Sequence, residues 1–492
     1  PWDAPKKYIP SGEVMSPGGA MVMAGAIGNL RKVAHGNYPA QAYIMSVIYD
    51  GLALPIDRAL EVEARYFIKA LHSKEARNMI RTGFFAIQEA SKGKTKPKGY
   101  PTYEINKIGV LGAGMMGAGI AYVSAKAGIE VVLKDVSVAG AEKGKDYAKK
   151  VLEKSLAKGR TTEAKMKAIL NRIHPTDSPD AVADCDYIVE AVFENPALKY
   201  KVTDETEAVI GKDKIYGTNT STIPITYLAK GAKRPENFIG VHFFSPVDRM
   251  PLVEIIVGEK TSNRAIAATV DYVQRIKKVP IIVNDKRGFF TSRCFSTFTS
   301  EGMFLLEEGV PAAVIENVAK KIGMPIGPLA VQDEVSLTLG IHVMDSDPDT
   351  ASNPTRQRIY RLYKMMVQEY GRGGKKAGKG FYDYPKGEKK QLWAGLATIF
   401  KAHNDALPID TVGKRLLHRQ ALESYRCLEE GVLRSAKDGD IGSVLGWGFP
   451  IYTGGAISYI DYVGLNQFIT DCDDFTARFG ERFKVPDSLR KM

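Results

Sequence analysis

A chain of 492 residues has room for about three domains and for sizeable buried cores. Its 44% hydrophobic and 25% charged residues are the proportions of an ordinary soluble globular protein, and the lack of any run of 18 apolar residues argues against a membrane span. The net charge of +12 comes without a nucleic-acid-binding motif, so it reads as solvated lysine or as attraction for an anionic, phosphate-bearing substrate.

The opening residues PWDAPKKYIP lack the basic and apolar regions of a signal peptide. They also lack an initiator Met, which points to a fragment or a processed form. The cysteines, Cys185, Cys294, Cys427 and Cys472, have no C-x-x-C spacing, which suits a reducing, cytoplasmic compartment and no zinc or other metal site. The final RKM is not a peroxisomal signal.

In chain order, residues 54–90 repeat apolar side chains at three- and four-residue spacing and predict helix. The Lys/Gly-rich SKGKTKPKGYP (91–101) then reads as a linker. Strand-like runs follow at 107–114, 129–135, 185–193, 214–219, 238–244, 251–257 and 279–285, several of them separated by helical segments. Such alternation predicts a parallel, doubly wound α/β sheet over about 105–287. From Gly288 the chain turns helical and repeats itself. LEEGV occurs at 306–310 and 428–432, and GMPIGPLAVQDEVSL (323–337) is echoed by GWGFPIYTGGAISYIDYVGL (446–465), which predicts one helical module used twice with a boundary near 385–405.

GAGMMG places glycines at Gly112, Gly114 and Gly117, between a strand and a helix, with a second strand ending at Asp135. That context predicts a dinucleotide site. Gly112 permits the tight turn, Gly114 lets the backbone approach a pyrophosphate, and Gly117 lets helix and strand pack closely. Asp135 is placed to accept hydrogen bonds from the adenosine ribose and to repel the extra phosphate of NADP, so the expected cofactor is NAD. A second pattern, GVHFFSPVDRMPLVEII, sets His242 and Glu254 in two apolar runs twelve residues apart, which fits either two structural residues or a base and the carboxylate that holds it.

The strings VLGAGMMGAGIAYVSAKAG, VEAVFENPALK, NTSTIPI, GVHFFSPVDRMPLVEII, GMPIGPLAVQDEVSL and GKGFYDY, in this order, resemble the 3-hydroxyacyl-CoA dehydrogenases of fatty acid β-oxidation. The likeness covers about residues 101–492 and is greatest to the dehydrogenase half of multifunctional enzymes that fuse an enoyl-CoA hydratase to this module. It implies a helical hydratase tail and linker over 1–100 with the hydratase core absent, a Rossmann domain over 101–287, and helical domains over 288–390 and 391–492. It also implies oxidation of (S)-3-hydroxyacyl-CoA to 3-ketoacyl-CoA, hydride passing to NAD, and a possible thiolase partner.

The resemblance makes His242 the general base, Glu254 its orienting carboxylate, and Ser221 a donor to the substrate oxygen, although TST before IPI also suits a helix cap. Asn219 supports the same loop. Met116, Glu194 and Lys199 match NAD contacts, and Glu190 reads as a buried structural acid. Lys376 matches a lysine that reaches the cofactor in single-domain relatives, with a surface lysine as the alternative. Ser155 and Lys158 fall where relatives bind CoA, although a solvated face is the commoner meaning of such a basic helix. Two positions depart from the family pattern. Ser245 stands for Asn on the nicotinamide side, and Ser292 stands for a catalytic, substrate-binding Asn, followed by a structural Arg293. These departures leave two competing readings: a non-catalytic NAD- and acyl-CoA-binding platform for a thiolase, or a dehydrogenase of non-fatty hydroxyacyl-CoA esters.

Overall fold

The computed structural model describes residues 12–345, 347–402 and 407–492. Residues 1–11 of the expected N-terminal helical segment, and 403–406 of the expected boundary between helical repeats, lie outside them. The described residues form two compact units: Phe84–Arg293 with Ser424–Trp447, and the remainder up to Gly83 with Cys294–Glu423 and Gly448–Met492. These units are cut differently from the successive domains expected along the sequence, because a piece of the second helical repeat belongs with the sheet.

The first unit is built on eight strands: β1 (Lys107–Leu111), β2 (Glu130–Lys134), β3 (Ile173–Thr176), β4 (Tyr187–Glu190), β5 (Ile215–Thr218), β6 (Phe238–Phe243), β7 (Leu252–Val257) and β8 (Val279–Asn284). They make one sheet in the order β3-β2-β1-β4-β5-β6-β7-β8. Central strands such as β4 and β5 are buried along their whole length, which is why they read as continuous rather than alternating apolar runs. β3 was not among the expected strands.

The sheet is parallel from β3 through β6. The parallel order expected from the sequence reverses at β6–β7, which pair antiparallel, after which β8 runs parallel to β7. The reason is the connector from Phe244 to Pro251, which is far shorter than the roughly one dozen residues a parallel crossover needs. This reversal sets His242 directly opposite Glu254.

The helices include, in chain order, α1 (Pro17–Ala34), α2 (Pro39–Gly51), α3 (Ile56–Leu71), α4 (Met115–Lys126), α5 (Val138–Leu156), α6 (Pro196–Val209), α7 (Asn263–Arg275), α8 (Thr291–Glu307), α9 (Ala312–Lys321), α10 (Pro328–Val335), α11 (Ile409–Glu429), α12 (Ala436–Trp447) and α13 (Leu465–Phe479), with further helices and turns between them. The predicted linker is a docked loop: Lys96 Nζ lies 2.6 Å from Asp271 of α7, and Tyr103 N donates to the same carboxylate at 2.8 Å.

The helical duplication is present in the backbone. LEEGV closes both long helices, α8 and α11, and its glycines, Gly309 and Gly431, take left-handed φ of 86° and 72° as helix stops. Downstream, Ser336 after α10 has φ 89° and ψ 125°, and Gly464 before α13 has φ 97° and ψ 126°. Two copies that agree in an unusual backbone conformation share one structural template.

In the second unit the copies are joined by a buried charge network. Glu301 of α8 is fully buried and accepts from Arg415 of α11 at 2.8 Å and from Arg482 at 2.8 Å. Burial pushes the Glu301 carboxyl up, but the fields of Arg415, Arg482 and Arg419 outweigh it and hold it at about 2. The N-terminal helical segment joins the same unit through Thr82, whose hydroxyl donates to Gly454 O at 2.7 Å.

Glu301→Gln removes the anion and leaves buried arginines without it. The expected loss is about 3–5 kcal/mol of unfolding free energy at neutral pH, measured by denaturant titration. A carboxyl depressed in the folded state contributes stability that is lost as pH falls, so the gap between wild type and variant should close between pH 4.5, the ordinary carboxyl value, and about 2.

Candidate active site

The Gly-rich loop lies at the C-terminal end of β1. Gly112 has φ 93°, and a Cβ there would stand 2.7 Å from Ala191 O. Gly117 is tighter still, with a Cβ position 1.8 Å from Gly112 O. Gly114 is different: nothing lies within 4 Å of where its Cβ would be, and it is the residue from which α4 starts. The backbone N–H groups of the first turn of α4 thus open onto a space that a side chain would fill, as an anion-binding helix start requires. Asp135, at the end of β2, accepts from Ala113 N at 2.7 Å and from Val136 N at 2.6 Å, which ties the two loops of the site together. These residues fit a bound dinucleotide. Met116 is half-buried in the first turn of α4, and the Ser245 hydroxyl meets the neighbouring Met115 Sδ at 3.6 Å, so the loop after β6 reaches the start of α4.

Beneath this loop is a buried ion pair. Glu190, the last residue of β4, is fully buried and accepts from Lys199 Nζ at 2.9 and 3.0 Å, from the Thr218 hydroxyl at 2.6 Å and from Val192 N at 2.8 Å. This is the buried structural acid the sequence suggested. Lys199, from α6, also donates to Asn219 O at 3.1 Å. Asn219 Oδ1 in turn accepts from Phe243 N at 2.9 Å, at the end of the strand that carries His242. Glu194 accepts from the Thr220 hydroxyl at 2.6 Å and from Ser221 N at 2.9 Å. Lys199 and Glu194 therefore hold the loop that presents Ser221, whose side chain is exposed.

His242 is 5% exposed, with its ring 4.4 Å from Phe244 and 6.2 Å from Phe289 between centroids. Its Nδ1 lies 2.9 Å from Glu254 Oε2. An ionised carboxylate only accepts, so Nδ1 carries the hydrogen and Nε2 keeps the lone pair. Nε2 makes no hydrogen bond with a described residue. Glu254 is fully buried, and Oε1 accepts from Phe290 N and Thr291 N, both at 3.0 Å. Oε2 accepts from the Thr291 hydroxyl at 2.5 Å as well as from His242. The start of α8 thus grips the carboxylate with two backbone N–H groups and one side chain, where the helix dipole also favours negative charge.

Thr291 was not singled out in the sequence. The available signal was a hydroxyl residue at the start of a predicted helix just after Gly288, the usual setting for a side chain that serves backbone or carboxylate groups. Phe289 reaches this grip through a left-handed φ of 47°, rare for a bulky side chain and of the kind stored at functional sites. Ser292 occupies the first turn of α8 and is partly exposed. Arg293, expected to be structural, binds Glu430 at 2.8 and 3.1 Å. That guanidinium, with Lys286 at 2.8 Å, outweighs burial and holds the Glu430 carboxyl at about 2.

Two expected residues of this unit are not gathered here. Ser155, near the end of α5, donates to Val151 O at 3.0 Å, and Lys158 is an exposed residue just beyond that helix. Lys376 is exposed in a short turn of the other unit.

Residues 107–286 match the family model for the 3-hydroxyacyl-CoA dehydrogenase NAD binding domain, and residues 288–384 match that for the 3-hydroxyacyl-CoA dehydrogenase C-terminal domain. A solved structure of an (S)-3-hydroxybutyryl-CoA dehydrogenase from Ralstonia eutropha is 35% identical, with a TM-score of 0.54 over 57% of this chain and 100% of that one. This chain belongs to the 3-hydroxyacyl-CoA dehydrogenase family. The NAD-binding domain model makes NAD the cofactor of the Gly112–Asp135 site. A solved structure of the dehydrogenase part of multifunctional enzyme 1 from C. elegans is 26% identical, with a TM-score of 0.57 over 79% of this chain and 90% of that one. The fatty acid oxidation complex subunit alpha of Psychrobacter arcticus is 37% identical over 468 residues, which are 92% of this chain and 64% of the relative. The chain thus spans under two thirds of the length of that curated relative. No helix among the described residues is long and apolar enough to cross a membrane.

The two glycines should separate folding from binding. Gly117→Ala meets backbone and should cost about 1–3 kcal/mol in thermal or denaturant unfolding without ligand. Gly114→Ala, in open space, should unfold like wild type yet lose at least about tenfold in NAD affinity by calorimetry.

Proposed function

We propose that this chain oxidises (S)-3-hydroxyacyl-CoA to 3-ketoacyl-CoA in fatty acid β-oxidation. The observation that carries the reading is His242, whose Nδ1 is held 2.9 Å from a buried carboxylate while Nε2 is left unbonded in a member of a dehydrogenase family. Bound NAD would supply the hydride acceptor, held by the Gly112–Gly117 loop and Asp135, with Met116, Glu194, Lys199 and Ser245 around it.

The residues of the chain supply the rest. The lone pair on Nε2 takes the proton of the substrate's 3-hydroxyl as hydride leaves the same carbon, and no other movement of protons is needed. Nδ1–H stays on the ring, so the imidazolium that forms faces Glu254 across one short bond. Histidine suits this role because its ordinary charge change falls between about pH 5 and 8. Ser221 and Ser292 offer hydroxyls to the substrate oxygen, each with a single donor where Asn would give an amide and a carbonyl. Ser155 on the basic helix α5 and Lys158 just beyond it are assigned to the CoA phosphates. The likeness to alpha subunits of a fatty acid oxidation complex supports a thiolase partner that would consume the ketoacyl product. Four buried cysteines without C-x-x-C spacing suit a reducing compartment, and we assign the chain to the cytoplasm.

Absorbance at 340 nm with acetoacetyl-CoA and NADH, and with 3-hydroxybutyryl-CoA and NAD, tests this. Turnover is expected, and His242→Gln should lower kcat by about 10²–10⁴. Glu254→Gln should lower it less than His242→Gln does. NAD binding without turnover at any chain length would overturn the reading in favour of the platform role that the two serines at Ser245 and Ser292 leave open.

A further inference from the structure

The carboxylate of Glu254 is fully subscribed. A carboxylate offers about four acceptor positions, and here four donors fill them: Phe290 N, Thr291 N, the Thr291 hydroxyl and His242 Nδ1. Three are fixed by the backbone or by the proposed proton chemistry. The fourth, the Thr291 hydroxyl, is a side-chain choice, and it falls on Oε2, the oxygen that also serves His242.

The distances decide what this hydroxyl does. It stands 2.5 Å from Glu254 Oε2 and 3.4 Å from His242 Nδ1. Its hydrogen therefore goes to the carboxylate, and any acceptance from the ring is the weaker contact. A charge-assisted bond of that length draws negative charge away from the oxygen that faces the imidazole. Thr291 is 1% exposed, so water does not screen the effect. The ring also lies against Phe244 and Phe289, and at Gly446 of α12 a Cβ would stand 3.7 Å from the Thr291 methyl; the hydrogen-bonded charge at the ring is Glu254.

We propose that Thr291 is a positioning residue that weakens the hold of Glu254 on the protonated form of His242, and so sets the lower pH limit at which the base works. The proposal rests on the function proposed above. By competing for Oε2, the hydroxyl keeps the imidazole unprotonated, and able to accept the alcohol proton, at lower pH than the His–Glu pair alone would allow. It also leaves Glu254 without a free acceptor position, so the proton stays on the ring.

The test compares wild type with Thr291→Val, which keeps the shape and removes the hydroxyl, Thr291→Ser, which keeps the hydroxyl, and Thr291→Ala as a smaller variant in case the valine does not fold. Two readouts are taken: the pH profile of kcat/KM for oxidation of 3-hydroxybutyryl-CoA, and the NMR titration of the His242 ring, assigned with His242→Gln. The acid limb and the ring midpoint should both move up by about 0.5–1 pH unit in the valine or alanine variant. They should return to the wild-type position in the serine variant. An unmoved midpoint, or activity lowered equally at every pH, would overturn the proposal and leave Thr291 a packing residue. Should wild type show no turnover, the proposed function fails, while the ring titration still decides the role of Thr291.

Discussion

The geometry of the proposed site depends on one pairing in the sheet: β6 and β7 run antiparallel, in the register that sets His242 across from Glu254. Strand side chains alternate between faces, so a slip of one residue in this register would send one partner to the far side of the sheet. Buried neighbours on both strands fix the register, since Val241, Phe243, Val253 and Ile255 all pack in the core. The His–Glu contact is thus set by main-chain pairing before any side-chain torsion is chosen. An antiparallel pair brings opposite residues within reach of one hydrogen bond, which a parallel neighbour would not do as directly.

Around that pair, each loop of the site is held from beneath. The Lys199–Glu190 pair connects the ends of β4 and β5 and, through Asn219, the end of β6. A buried ion pair is a weak stabiliser by itself, because desolvation cancels much of its attraction. Its use here is directional. The ammonium and carboxylate spend their remaining hydrogen bonds on Thr218, Val192 and Asn219, and so place the loop that presents Ser221. Glu194 does the same from above through Thr220 and Ser221 N. Residues that resemble cofactor contacts can serve the cofactor by shaping its loop.

Much of this was legible in the sequence. The Gly112–Gly117 fingerprint, Asp135 and seven of the strands could be read because each is a local pattern with one physical solution. β3 was missed because Ile173–Thr176 is a short edge strand with one buried residue and a proline, and so carries no periodicity. The antiparallel turn at β6–β7 was readable in principle from the shortness of the Phe244–Pro251 connector, but strand direction leaves no mark in residue types. Thr291 was hidden for another reason. Its partner lies 37 positions away, and a threonine at a helix start has an ordinary local explanation. The CoA end stayed faint because exposed lysines on α5 look the same whether they meet a phosphate or water.

The far edge of the sheet has a consequence for how the module can be divided. β8 is the last strand, yet its outer side is not left open: Asn284 N donates to Val432 O at 2.8 Å, Val283 bridges to Leu433, and the Asn284 side chain donates to Gly431 O at 2.7 Å. The covering segment comes from the second copy of the helical repeat, far along the chain. A sheet edge without cover invites another strand, from another molecule, to pair with it. The duplication therefore does more than add helices. It lends the nucleotide-binding sheet its stopper, so a shortened protein ending after the first repeat would expose a sticky margin.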